Sequence, residues 1–512
     1  LVEASSSIKN HQSSIKNSLI DNFRLASSSF NRKSSIFNRK FTGQGPTSFF
    51  QRRTFQMKRG YRSLSLAVLA FLSFSSVGLR AQEQPKKYTT KPTSKSQPVI
   101  TNADIRKGTA PSAGPELPPG PPPTMPEALT FRLESFSRSV TPHGVYFEAL
   151  DGKPVVNINQ DTLYNPASVT KVMTSLAVLD QFGVNYRYPT RVSYTGEIDK
   201  ATGVLKGDLV IEGENDPSFA TESVFLIGEK LRMLGVTSVE GNLRIGPGVM
   251  VNMTGNPLRA GGEFLAALDS ARWNSRVLGV WNAVQNIKTF NRSTPYAGVT
   301  VTGTVMVDDR QGERKPLMTY QSSPLIKILK GINAYSNNEM THVVGARVGG
   351  APGVQQFLYR KVGLTPGEVT LQTTSGLGGN AVTPRAVTKI MRYAMTWLAK
   401  QKLGLNDMLP IAGVDNGTLQ RRFTSPDLIG SVIGKTGTLS STSALAGILY
   451  TKDRGPLFFA ILERGNPHSL RPLQEEIIWM VAKDSGGALS VALGSEMSPS
   501  LCEEAVVAVA RQ

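Results

Sequence analysis

The chain has 512 residues, with 57 Lys and Arg against 38 Asp and Glu, four His, one Cys and a formal net charge of +19. A single cysteine, Cys502, excludes an internal disulfide, and His11, His143, His342 and His468 are scattered without ligand spacing, so no metal site is expected. The charge invites a nucleic-acid reading, yet residues 1–126 hold 19 Lys and Arg against 5 Asp and Glu, leaving 38 against 33 for 127–512. The basicity is mostly presequence and linker, no basic–aromatic pattern appears, and no nucleic-acid partner is expected.

Residues 1–56 contain no Met and repeat themselves (SSIKN twice, then SSFNRK and SSIFNRK). They read as a doubtful upstream extension before a true start at Met57; the other reading is a basic targeting extension. From Met57, the basic run Met57-Lys58-Arg59-Gly60-Tyr61-Arg62 precedes an apolar core, Leu64–Leu79, and a plausible cleavage point after Ala81. This is the pattern of an export signal over 57–81, too short and too serine-laced for a comfortable membrane span. Residues 82–126 are a polar linker that ends in a proline-rich stretch, best read as a tether, with docking of a proline-binding partner as the alternative.

Val145–Leu150 and Pro154–Ile158 around Asp151-Gly152 predict a hairpin. It leads to Ser168-Val-Thr-Lys171, which follows Asn165-Pro166-Ala167 and precedes an apolar face of Val169, Val172, Met173, Leu176, Val178 and Leu179. Pro is favoured where helices begin, so a helix is expected to start at the serine, with Ser168 and Lys171 one turn apart on one face. Two other SxxK strings, Ser6–Lys9 and Ser13–Lys16, lie in the polar N-terminal stretch with no such pattern.

Residues 191–317 are rich in short strands with glycine turns, such as Asp208–Glu212 and Asn242–Ile245, and read as an inserted β-rich domain. After it, an amphipathic run from Leu325 meets a polar corner at Ser336-Asn337-Asn338 and a new run through Val343 and Val344. Seen alone, such a corner is a helix-capping turn. Val432–Leu439 then predicts a strand carrying Lys435-Thr436-Gly437-Thr438, followed by strands at Ala444–Tyr450 and Pro456–Leu462. A phosphate-binding loop is excluded, because only three residues separate Gly430 from Gly434 and a hairpin follows where a helix is required. The tail, 486–512, carries no readable pattern.

Taken in order, SxxK, SNN and KTG resemble the active-site strings of the class C low-molecular-mass penicillin-binding proteins, the D-alanyl-D-alanine carboxypeptidase/endopeptidase family. Thr374-Ser375-Gly376-Leu377 with Asn380 and Val382-Thr383-Pro384, Leu409–Leu419, and Ser443-Ala444-Leu445-Ala446-Gly447 extend the resemblance across Val145–Asn466. Two departures stand out: a shorter insert, and Gly213-Glu214-Asn215-Asp216-Pro217 where relatives show a GGGDP-like turn.

The resemblance implies an α/β (α+β) transpeptidase fold of the penicillin-binding-protein/serine β-lactamase type, an antiparallel sheet flanked by helices. The catalytic domain is expected over 127–190 and 318–485. It implies Ser168 as nucleophile, Lys171 as base, Ser336 as proton relay, Asn338 as an amide for substrate or Lys171, and Lys435 as second cation. Thr436, Gly437 and Thr438 would bind substrate, and the backbone N–H groups of Ser168 and Thr438 would form the oxyanion hole. The substrate would be peptidoglycan peptides, with β-lactam antibiotics as covalent inhibitors, no cofactor, a periplasmic location and peripheral cell-wall or membrane association. A catalytically silent peptidoglycan-binding protein of this fold is one rival. A β-lactamase is the other; no E-x-x-L-N string after Ser336 supplies the deacylating glutamate of class A enzymes.

Overall fold

The computed structural model describes residues 124–286, 290, 296–309, 312–491 and 502–510. The upstream extension, the export signal and all but the last three linker residues lie outside the described residues. Helix α1 (Met125–Ser137) opens with the Glu127 carboxylate accepting the Thr124 N–H at 2.8 Å, one half of a capping box, and buries Leu129 and Leu133. The hairpin follows as β1 (His143–Ala149) and β2 (Pro154–Ile158), with Gly152 at φ +84° in the turn.

A 3₁₀ turn at Ala167–Val169 then feeds α2 (Thr170–Phe182). Every α2 residue from Thr170 to Leu179 is buried, which makes it the central helix of the domain. The α-helix thus begins two residues after Ser168, and the serine itself occupies the tighter turn.

The insert begins with β3 (Pro189–Tyr194) and β4 (Leu209–Glu212), then α3 (Thr221–Met233), β5 (Leu243–Ile245), α4 (Pro257–Leu268) and α5 (Ser275–Val284). It closes with β6 (Val305–Val307) and β7 (Lys315–Gln321). Next come α6 (Leu325–Tyr335), α7 (Asn338–Ala346), α8 (Gly350–Phe357) and α9 (Pro384–Lys400). Three long strands, β8 (Val432–Leu439), β9 (Thr442–Thr451) and β10 (Gly455–Arg464), lead to α10 (Pro467–Asp484) and finally β11 (Val506–Val509).

The strands form a wholly antiparallel five-stranded sheet in the order β8-β9-β10-β1-β2. Alternation along β9 sorts its two faces. Leu445 and Leu449 join Leu129, Leu133, Phe147 and Ile477 beneath α1 and α10, whereas Ala444, Ala446 and Ile448 pack with α2, α6 and α9. The mixed α/β architecture, an antiparallel sheet covered by helices on both sides, is the one implied by the sequence.

A second sheet, β6-β5-β4-β3-β7-β11, lies under α3 and α4 with its own apolar core. The tail supplies its last strand: β11 pairs antiparallel with β7 from Met318↔Val509 to Gln321↔Val506, and Cys502 and Ala505 are buried there. Strand β7 runs on into α6, so the insert delivers the chain directly to the Ser336 corner.

Candidate active site

The site forms where the Ser168 turn, the α6–α7 corner and the edge strand β8 meet. Ala167, one residue before the serine, has φ +45°, an uncommon conformation for a residue with a Cβ. Two glycines make room for this turn. At Gly376 (φ +88°) a Cβ would lie 1.8 Å from the Ala167 carbonyl oxygen, and at Gly437 it would lie 2.5 Å from that of Pro166. The 373–380 segment and strand β8 are therefore both in backbone contact with the Ser168 turn, which explains glycine at both positions.

Lys171 is fully buried, and its Nζ lies 2.8 Å from Ser168 Oγ, 2.7 Å from Asn338 Oδ1 and 2.7 Å from the Ser375 carbonyl oxygen. Burial, and then the positive charge of Lys435, hold this amine well below its ordinary value of 10.5. A neutral amine has two N–H donors and one lone pair. The Asn338 and Ser375 oxygens can only accept, so they take both donors and leave the lone pair for the one partner that can itself donate, the Ser168 hydroxyl.

Ser336 ends α6 in the left-handed conformation (φ 58°, ψ 40°), and Asn337 caps α7 by accepting the Met340 N–H. The capping role and the site role are thus both present, divided between Asn337 and its two neighbours. Ser336 Oγ accepts from Lys435 Nζ at 3.0 Å, and the same amine donates to the Thr436 carbonyl at 2.8 Å. Burial lowers Lys435 from 10.5 to about 7.

Strand β8 is the sheet edge. The Gly434 N–H donates to Pro410 O at 3.1 Å and Val432 O accepts from the Ala412 N–H at 2.8 Å, so even-numbered residues direct their backbone groups away from β9. Beyond Pro410 that edge has no strand partner among the described residues, and by the same alternation the backbone groups of Thr436 and Thr438 face the open side. The Thr436 hydroxyl donates to Thr418 Oγ1 at 2.8 Å.

All eight residues named from the sequence lie in this region. Ser168, Lys171 and Asn338 make one hydrogen-bonded group, Ser336 and Lys435 another, and Thr436, Gly437 and Thr438 continue from Lys435 along the strand. Sequence reasoning missed the Ser375 carbonyl, although it singled out the Ser375-Gly376 segment. It named Asn380 without giving it a role; the amide of Asn380 bonds Thr170 Oγ1 (3.0 Å) and the Gln372 N–H (2.7 Å), tying that segment to α2. His342, one turn after Asn338, reaches Ser375 Oγ at 3.1 Å; burial lowers its pKa, opposed by Glu339 and assisted by Lys171. Nothing in the local pattern around His342 marks it.

A serine beside a buried, low-pKa lysine, on an antiparallel sheet flanked by helices, defines a serine-type peptidase of the acyl-transfer class. The chain belongs to the D-Ala-D-Ala carboxypeptidase 3 (S13) family, whose sequence profile matches residues 138–257 and 271–482. It is 23% identical over 393 residues to D-alanyl-D-alanine carboxypeptidase DacB of Haemophilus influenzae, covering 59% of this chain and 80% of that protein. It is 31% identical over 157 residues to carboxypeptidase DacB of Mycolicibacterium smegmatis, covering 28% of this chain and 34% of that protein. Penicillin G-acylated Bd3459, a predatory endopeptidase from Bdellovibrio bacteriovorus solved with its immunity protein, shares the fold. It has a TM-score of 0.62 and 20% identity, covering 72% of this chain and 99% of that one.

Proposed function

We propose that this D-Ala-D-Ala carboxypeptidase acts on peptidoglycan stem peptides through an acyl-enzyme on Ser168, and that penicillins acylate the same oxygen. The observation that carries this reading is the three-oxygen cage of Lys171, in which Asn338 and Ser375 accept and the lone pair of the amine faces the Ser168 hydroxyl. Lys171 takes the hydroxyl proton as Oγ attacks the carbonyl of the penultimate D-alanine. The substrate backbone adds to the open edge of β8, and the backbone N–H groups of Ser168 and Thr438 receive the oxyanion. Ser336, bonded to Lys435, passes a proton to the leaving amine, D-alanine departs, and water hydrolyses the ester. The Thr436 and Thr438 hydroxyls meet the substrate's terminal carboxylate. The same steps on a D-alanyl cross-link give endopeptidase action.

The export signal at 57–81 supports work outside the cytoplasm, in the periplasm, with peripheral association with the cell wall. Among the described residues no helix is long and apolar enough to cross a membrane. The test is release of D-alanine from a peptide ending in D-Ala-D-Ala. The protein is expected to release it and Ser168→Ala to release none; equal release by both, or none by either, contradicts the assignment.

A further inference from the structure

A carboxypeptidase substrate ends in a free carboxylate, and the two lysines of the site are poor anchors for it. Lys171 is held well below 10.5, Lys435 is at about 7, and both amines are already engaged by protein oxygens. A permanent cation stands elsewhere. Arg471, on α10, is exposed, and its Nη2 donates to Thr438 Oγ1 at 3.3 Å.

The placement follows from the sheet. Thr438 is paired with Ser443 in β8–β9 register, and Ser443 Oγ accepts from Gln474 of α10 at 3.0 Å, so this face of the strand pair looks toward α10. The backbone of Arg471 is also fixed. Its carbonyl accepts from Arg422 Nη2 at 3.1 Å, and Arg422 is in turn held by Glu475 (2.9 Å) and Gln474 (3.2 Å). Among the described residues no carboxylate forms an ion pair with Arg471, and the Thr438 contact occupies one of the five N–H donors of its guanidinium.

We propose that Arg471 is a substrate-binding residue that anchors the C-terminal carboxylate of the peptide, and the ring carboxylate of a penicillin, beside the hydroxyls of Thr436 and Thr438. This rests on the peptidase reading and adds to it the group that senses the substrate's charge. A guanidinium stays charged at every working pH and can grip a carboxylate with two parallel N–H bonds, which neither lysine of the site can do. The assignment makes the enzyme selective for a free chain end through a residue outside the three motifs.

The test compares acylation by benzylpenicillin with acylation by its methyl ester, in the unmodified protein, Arg471→Ala and Arg471→Lys. Loss of a charge-assisted carboxylate contact is expected to slow Arg471→Ala about 10- to 100-fold on the acid and less than about threefold on the ester. Arg471→Lys is expected to fall between, and thermal melts are expected to coincide because the exposed side chain supports no packing. Equal losses on acid and ester, or no loss on either, overturn the role of Arg471 while leaving Ser168 acylation intact. Failure of benzylpenicillin to acylate the unmodified protein would instead overturn the peptidase reading itself.

Discussion

At the residue scale the site is a problem of keeping one lysine neutral. Two amines are buried in one region; burial lowers both, and the charge of Lys435 lowers Lys171 further. In the proposed mechanism Lys171 accepts a proton only above its depressed pKa, and Lys435 carries its proton only below about 7. Acylation by benzylpenicillin is therefore expected to follow a bell in pH, with an acid limb from Lys171 and an alkaline limb near 7 from Lys435. Lys435→Met removes the neighbouring charge, so its acid limb is expected to move to higher pH with the alkaline limb gone. Rates measured from pH 4.5 to 9.5 in both proteins check this. An acid limb that stays in place contradicts the coupling of the two lysines.

At the element scale, catalysis depends on backbone fit between the Ser168 turn, the 373–380 segment and β8. Gly376→Ala would put a methyl group 1.8 Å from the Ala167 carbonyl at a φ of +88°, so the turn must move. An ångström of displacement at a nucleophile is expected to slow acylation about 100-fold, and the strained backbone to lower the melting temperature as well. Unchanged acylation kinetics would show that the turn does not need this contact.

The elements carrying the motifs were legible because their signals are local. Period-two alternation exposed β8 to β10, and the Ser-Asn-Asn corner exposed the α6–α7 junction. Two features were not. The α-helix starts at Thr170 instead of Ser168, because the 3₁₀ turn answers to Gly376 and Gly437, more than 200 residues away in the chain. The tail strand β11 was hidden because its pattern, Val506-Val-Ala-Val509, gains meaning only from its partner β7. Arg471 and His342 belong to the same class: each sits on an ordinary helix, and only tertiary packing brings it to the site.

At the scale of the whole molecule, the two sheets have separate cores; Ser168 and Lys171 precede the insert, the Ser336 corner follows it, and Lys435 lies on β8 of the first sheet. The buried lysines also tie the stability of the whole chain to pH. Lys435 binds its proton at about 7 in the folded protein and near 10.5 when unfolded, so between those values the unfolded state holds more protons and stability rises with pH. Below about 7 the full penalty remains. Lys435→Met is thus expected to raise the melting temperature by about 2–4 °C at pH 6.5, with the gain shrinking toward pH 9.5. A gain independent of pH would point to better packing instead of a relieved charge.

The central claim is that Ser168 is the acylated oxygen. Incubation with benzylpenicillin, proteolysis and mass spectrometry of the adduct test it most directly. One penicilloyl group on the peptide that contains Ser168, absent in Ser168→Ala, is the expected result. No covalent adduct, an adduct on another serine, or equal labelling of Ser168→Ala would contradict the account.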